Sequence, residues 1–394
     1  MRILHLTRDL PPASKGGIST AVGGLIAALG DAGHPCDALS FDGWRPSRHD
    51  TAPPALCVEE GANGQVLRVS GPAELEQAKR FSLTCAPDLI HVHHGMLWEF
   101  AATLIAALKV PGIFTLHVHQ ASLNALRGVD ERTSSLDGQE RALREADLVC
   151  TPSRACSAAV ARDYPEVKPW TTRLGIQDSA RIRGAAEARS PTAPERLTYV
   201  GRFADVKGTR EFLAVARSLL SRRPGLRVRV VGGVPDNPKA DRRWRRRWRE
   251  ETAPERVERL EFVGWASGDE LTRHLREASV LLVPSWTETF GLTVLEGMLH
   301  GVPIVASACP AIAELLVEGQ TGLMVPPKDI GAYVTAVERL LDDPAFALEL
   351  ARNAAAVARQ HHLWGACAVD TIEAYHHVIS RDWCSAGHPE TPPW

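Results

Sequence analysis

The chain has 394 residues, 44% hydrophobic and 23% charged, with 45 basic and 47 acidic side chains and a formal net charge of −2. That length exceeds what one hydrophobic core serves, so two domains of roughly 150–200 residues are expected. The composition excludes a disordered chain, and the near-neutral balance removes global basicity as an argument for nucleic acid.

No apolar run approaches the roughly 20 residues that span a bilayer, and the opening MRILHLTRDL is charged where a secretory segment needs apolar residues, so a cytoplasmic location is expected. From the N-terminus, short apolar runs at residues 3–7, 36–40, 66–69, 88–93, 113–117 and 148–151 predict strands. Helical spacing at 18–29, 100–108 and 139–146 separates several of them, so the strands should be parallel, as in a Rossmann-like sheet. This N-terminal domain is expected over 1–180. Residues 181–195, RIRGAAEARSPTAPE, have no room for a strand and read as a linker. The alternation restarts at 197–200, 226–231, 260–263, 280–284, 304–307 and 322–325, giving a second doubly wound domain over 196–375, followed by a helix end and tail at 376–394. Two such α/β domains imply a cleft at the carboxyl ends of both sheets, with the chemistry in strand-to-helix loops. Eight cysteines, at 36, 57, 85, 150, 156, 309, 367 and 384, contain no C-x-x-C pair and read as buried free thiols.

Three loops fit that expectation. SWTETFGLTVLEGM, residues 285–298, follows a predicted strand; Gly291 allows close backbone approach, and the helix starting near Leu292 or Thr293 offers free amides to a phosphate. Glu288 and Glu296 flank this anion site and could accept hydrogen bonds from vicinal hydroxyls; read singly, one is a solvated loop acid and the other a helix-dipole acid. GRFADVKG, residues 201–208, brings Arg202 and Lys207 across a tight turn, suited to a diphosphate. PPASKGGIST, residues 11–20, has Gly16 and Gly17 at its turn and Ser19 or Thr20 as candidate caps, but matches neither G-x-G-x-x-G nor a P-loop.

Together these loops resemble the retaining, nucleotide-sugar-dependent glycosyltransferases of family four, whose GT-B fold consists of two facing Rossmann-like domains. The resemblance spans nearly the whole chain. Its E-x7-E signature falls on Glu288 and Glu296, its G-R-x4-K-G motif on Gly201, Arg202, Lys207 and Gly208, and its glycine loop on Gly16 and Gly17. The resemblance implies that Glu288 contacts the donor hexose, Glu296 the ribose, and Arg202 and Lys207 the diphosphate. Gly16, Gly17, Thr289 and the backbone around Phe290, Gly291, Leu292 and Thr293 complete the donor site. The family's strand-end histidine matches His117, placed beside the donor sugar; His93 and His94, one strand earlier, are expected to face the acceptor. His117, Glu288, Arg202 and Lys207 form the expected catalytic set.

Val206 and the stretch Ala308 to Glu314 depart from the family pattern, which lacks neither an acid before Lys-Gly nor a Gly-Gly pair in the late loop. The His91, His93, His94 and His117, His119 spacings lack a matched carboxylate cluster, and no D-x-D occurs, so no metal site and no cofactor beyond the nucleotide-sugar co-substrate are expected. In KADRRWRRRWR, from Lys239 to Arg249, a helix puts Trp244 and Trp248 on one face; packing of that pair on the domain is favoured over contact with an anionic membrane. The expected reaction is metal-independent, retaining transfer of a hexosyl-type sugar, from a UDP donor by family frequency, to a hydroxyl acceptor. A polar small molecule, a natural-product intermediate or a cell-surface glycan all fit, with pockets expected at the irregular segments 43–64 and 120–135. An epimerase of the same fold and a non-catalytic nucleotide-sugar binder are the alternatives. The sequence assigns no oligomeric state.

Overall fold

The computed structural model describes residues 1–13, 16–42, 58–61, 63–129, 133–178, 194–233 and 238–380. All but the last two residues of the expected linker, and the end of the chain from 381, lie outside the described residues.

Two compact units are present: Met1–Ile176 with Trp364–Trp394, and Gln177–Leu363. In the first, the strands are β1 (Ile3–Thr7), β2 (Cys36–Ser40), β3 (Val58–Glu60), β4 (Gln65–Arg68), β5 (Leu89–Val92), β6 (Gly112–Thr115), β7 (Leu148–Thr151) and β8 (Trp170–Thr171). They form one sheet in the order β3-β4-β2-β1-β5-β6-β7-β8. Strands covered by helices on both faces read as continuous apolar runs, and Leu4, Leu6, Ile90, Val92, Phe114 and Val149 accordingly share one core with Trp98. The purely parallel sheet expected here is corrected at its edge, where β3 pairs with β4 antiparallel. β3 falls in the segment expected to be irregular, and so does the helix Gln120–Arg127. Both elements are short, and an edge strand or surface helix buries too few side chains to leave a periodic signal.

The second unit carries β9 (Arg196–Gly201), β10 (Arg227–Gly232), β11 (Leu260–Gly264), β12 (Val280–Val283), β13 (Ile304–Ser307) and β14 (Leu323–Val325), all parallel, in the order β11-β10-β9-β12-β13-β14. Its core gathers Leu197, Tyr199, Val230, Leu282, Phe212 and Trp248. Each sheet reverses its strand order once near the middle, between β1 and β5 and between β9 and β12. Ligands bind outside the carboxyl ends of strands at such reversals. The loops after β9 and β12 are the two that carry the paired motifs.

The helix Trp364–Ile379 belongs to the first unit, a correction to a second domain running to 375. Its docking is specific. A Cβ on Gly24 or Gly175 would lie 2.0 and 2.6 Å from the Trp364 indole, Arg173 forks onto Asp370 at 2.7 and 3.0 Å, and the Tyr375 hydroxyl is 2.7 Å from Nδ1 of His91. The partners are nearly 200 residues apart or more, so no local pattern announces them. Among the described residues no helix is long and apolar enough to cross a membrane, and the six described cysteines are free and buried.

Candidate functional site

The loops after β9 and β12 are tied to each other. Trp286 N–H donates to the Val206 carbonyl at 2.9 Å, and Gly208 has φ +67°, where a Cβ would stand 1.9 Å from the Pro284 oxygen. Only glycine suits that left-handed, crowded position. The Tyr199 hydroxyl donates to the Arg202 carbonyl at 2.9 Å, and Trp286 Nε1 donates to Glu211 at 3.0 Å with Lys328 Nζ 3.7 Å over its ring centroid. Cys309 Sγ donates to the Ser285 carbonyl at 3.4 Å.

This scaffold brings Lys207 to Glu288, with Nζ 2.8 Å from both carboxylate oxygens, while Ser285 Oγ donates to Glu288 Oε1 at 2.8 Å. The two residues expected to grip diphosphate and sugar separately are thus paired with each other. Arg202 is exposed. Gly291, at φ +107°, precedes the helix Leu292–Leu299, and a Cβ there would be 2.5 Å from Ile312 Cδ1. No side chain caps that helix, and its first bonded amide beyond the opening turn is that of Leu295, which donates to the Gly291 carbonyl. The amides of Leu292 and Thr293 are therefore available to an anion. Phe290 is buried with its ring 6.1 Å from His362, and Thr289 is half-buried beside it. Glu296 is half-buried on the same helix, and burial raises its carboxyl to about 7. Glu288, Lys207, Arg202 and the helix start thus share the β9–β12 reversal.

In the first unit, His117 lies two residues beyond β6 and is buried. Its Nε2 is 3.1 Å from Nδ1 of His93, whose Nε2 is 3.0 Å from Nδ1 of His5. Burial pushes His5 down to about 3 and His117 to about 4, and holds His91 and His93 well below the ordinary imidazole value. These rings are neutral. His93 therefore has no ring nitrogen left for an acceptor, which corrects its expected role. His94 is half-buried and accepts from the Arg8 N–H at 3.2 Å; burial lowers it to about 3. His5, His91 and His93 each place a nitrogen within 4.8 Å of the others, close enough to consider a metal. Five of their six ring nitrogens already have partners in His117, Tyr375, Thr115 or one another, leaving His5 Nε2 alone. His5 carries only one signal in the sequence, a polar residue in the middle of a strand buried at every position.

Gly16 and Gly17 open the helix Gly17–Asp31, Gly16 as its N-cap, without a side-chain cap bond. Ser19 is buried inside the first turn and Thr20 donates its amide to the Gly16 carbonyl, so neither is the cap expected. On the helix Pro238–Glu251, Trp244 and Trp248 are buried in the core and Trp248 Nε1 donates to the Val257 carbonyl. The tryptophans face inward, as the packing reading expected. Arg247 pairs with Glu251 at 2.7 Å and Arg245 stacks 4.8 Å over Phe262, while Arg242, Arg243 and Arg249 are exposed.

The chain is similar to known glycosyltransferases in sequence and in fold. Residues 16–174 match the family model described as glycosyl transferase 4-like domain, and residues 194–343 the model described as glycosyl transferases group 1. The glycogen synthase of Mycobacterium tuberculosis is 29% identical over 95% of this chain and 94% of the relative. A D-inositol 3-phosphate glycosyltransferase of Arthrobacter sp. (strain FB24) is 26% identical over 96% and 94%. Among solved structures, sucrose-phosphate synthase from Thermosynechococcus elongatus superposes with a TM-score of 0.79 at 22% identity, covering 96% of this chain and 100% of that one. Anabaena HepE in complex with UDP-glucose gives a TM-score of 0.73 at 17% identity over 96% and 100%.

Proposed function

Because this chain belongs to the family four glycosyltransferases and has their GT-B fold, we propose that it moves a hexosyl unit from a UDP-sugar to a hydroxyl acceptor with retention and without a metal. The observation that carries this reading is the junction of the β9 and β12 loops, where Lys207, Glu288, Arg202 and a glycine-led helix start converge. Departure of the nucleotide leaves negative charge on phosphate. Arg202 and the amides of Leu292 and Thr293 meet that charge, doing the electrostatic work that a divalent cation does elsewhere. Lys207 turns from Glu288 toward the phosphate, which frees the Glu288 carboxylate to accept from sugar hydroxyls. Glu296 accepts from the ribose diol. His117 contacts the donor sugar, Gly16 and Gly17 let backbone approach it, and His94 lies toward the acceptor.

In the reaction, the bond from the anomeric carbon to the phosphate oxygen breaks, the acceptor oxygen bonds on the same face, and its proton passes to the departing phosphate. Glu288 binds and is not a nucleophile. The relatives named as inositol-phosphate and glycogen enzymes, and the UDP complexes among the structural neighbours, favour a polyol or carbohydrate acceptor and a uridine donor.

The test is a thermal-shift screen of UDP-, GDP- and ADP-sugars, followed by measurement of nucleotide release with and without acceptors in the presence of a chelator. At about 100 times its dissociation constant the correct donor stabilises by about 2.7 kcal/mol. Release that depends on acceptor and survives chelation is expected. Release independent of any acceptor would point to an epimerase, and binding without turnover to a non-catalytic binder.

A further inference from the structure

The first unit holds a file of three imidazoles, of which the proposed transfer uses only His117. His5 lies in mid-β1, His93 directly follows β5, and His117 lies beyond β6; the two N···N contacts measure 3.0 and 3.1 Å. Ring centroids are 5.3 Å apart at both contacts, with interplanar angles of 12° and 34°. Relative exposure is 0%, 2% and 8% from His5 to His117, so water does not compete for the inner contact.

A neutral imidazole owns one N–H and one lone pair, and each contact uses one of each. The file therefore has two arrangements: every ring donates outward, from His5 to His93 to His117, or every ring donates inward. Inward donation puts the His5 proton on Nε2, which is buried and has no hydrogen-bond partner. Outward donation puts the proton on Nδ1, inside the file, and leaves a lone pair at Nε2. An orphaned buried N–H is the rarer defect. The nearest imidazole outside the file offers no remedy: His91 spends Nδ1 on the Tyr375 hydroxyl at 2.7 Å and Nε2 on Thr115 Oγ1 at 2.6 Å. Burial that holds His5 to about 3 and His117 to about 4 keeps the rings neutral, so the alternation is preserved at neutral pH.

We propose that His5 and His93 are positioning residues for His117: the file runs outward and fixes His117 as the Nδ1–H tautomer, so that any hydrogen bond it makes to the transferred sugar is one it donates. The consequence for the sugar rests on the reading of His117 as a donor contact; the tautomer does not.

The experiment is long-range ¹H–¹⁵N correlation of the full-length protein labelled with ¹⁵N-histidine, with the His117 ring identified by its loss in His117→Gln. The expected spectrum has His117 Nδ1 protonated and Nε2 of the lone-pair type. His93→Leu removes the inward partner and should mix the two tautomers; His93→Asn, whose amide donates from about the Nδ1 position, should restore the first. Where the leucine variant does not fold, the wild-type spectrum alone decides. For transfer, kcat should fall roughly five- to tenfold in His93→Leu, the equivalent of one hydrogen bond, with a smaller change in KM for the donor and recovery in His93→Asn. A proton on His117 Nε2 in the wild type, or a His117 ring indifferent to His93→Leu, would overturn the proposal. A correct tautomer in a protein that transfers no sugar contradicts the donor-contact reading instead, and leaves the polarity of the file supported.

Discussion

Glu296 couples the site to pH. Burial lifts its carboxyl to about 7 from an ordinary 4.5, so the folded chain holds a proton that the unfolded chain releases between those values. Its contribution to stability is therefore complete below the unfolded value and is lost as pH rises through 7. Glu296→Gln removes that loss, and its melting temperature should exceed that of the wild type at pH 8, with the gap closing as pH falls toward 5. In the proposed site two ribose hydroxyls donate to this carboxylate and favour its ionised form, so UDP binding at pH 7 should release protons. Titration calorimetry in buffers of different ionisation enthalpy reads this directly, and Glu296→Gln should abolish it. At this scale Arg202, Lys207 and Glu288 stand out in the sequence as charged residues following apolar runs, whereas Glu296, inside the helix Leu292–Leu299, stands out only by its spacing from Glu288. The Lys207–Glu288 pair was not legible, since their 81-residue separation is closed only by the sheet.

Elements make these side chains meet. The strands were legible nearly to the residue, β1, β2, β7 and β13 in full, because a parallel strand buried on both faces is an uninterrupted apolar run bounded by turn residues. β3 and β8, three and two residues long at the ends of the sheet, carry no such run. The two motif loops depend on their glycines. Gly208→Ala places an L-residue at φ +67° against the Pro284 carbonyl, costing roughly 1–2 kcal/mol from the backbone alone. The overlap must in addition push the loops apart and separate Lys207 from Glu288. Denaturant melts should show the stability loss, and donor affinity should fall further than in Gly225→Ala, where a Cβ meets nothing within 4 Å. Equal donor affinity in the two variants would contradict the role given to this contact. The helix Pro238–Glu251 shows the converse case: its two tryptophans four apart fixed the inward face despite the surrounding arginines.

At the scale of the molecule, the chain returns to its first unit after completing the second, a crossing no composition shift marks. Asp370 and Arg173, 6% and 15% exposed at their side chains, hold the last helix in place. Removing one partner of a buried pair leaves the other charge uncompensated, so Asp370→Ala should destabilise the first unit by roughly 3–5 kcal/mol. Hydrogen exchange should rise in β1, β5 and β6 and stay unchanged in β9 and β12; uniform change in both sheets would contradict the division into units. In the proposed reaction the second unit holds a diphosphate at Arg202 and the start of the helix Leu292–Leu299. Calorimetric titration of UDP and of uridine into the wild type and Arg202→Ala tests it most directly. UDP should bind the variant at least tenfold more weakly while uridine binds both alike; equal affinity for UDP in the two proteins would contradict it.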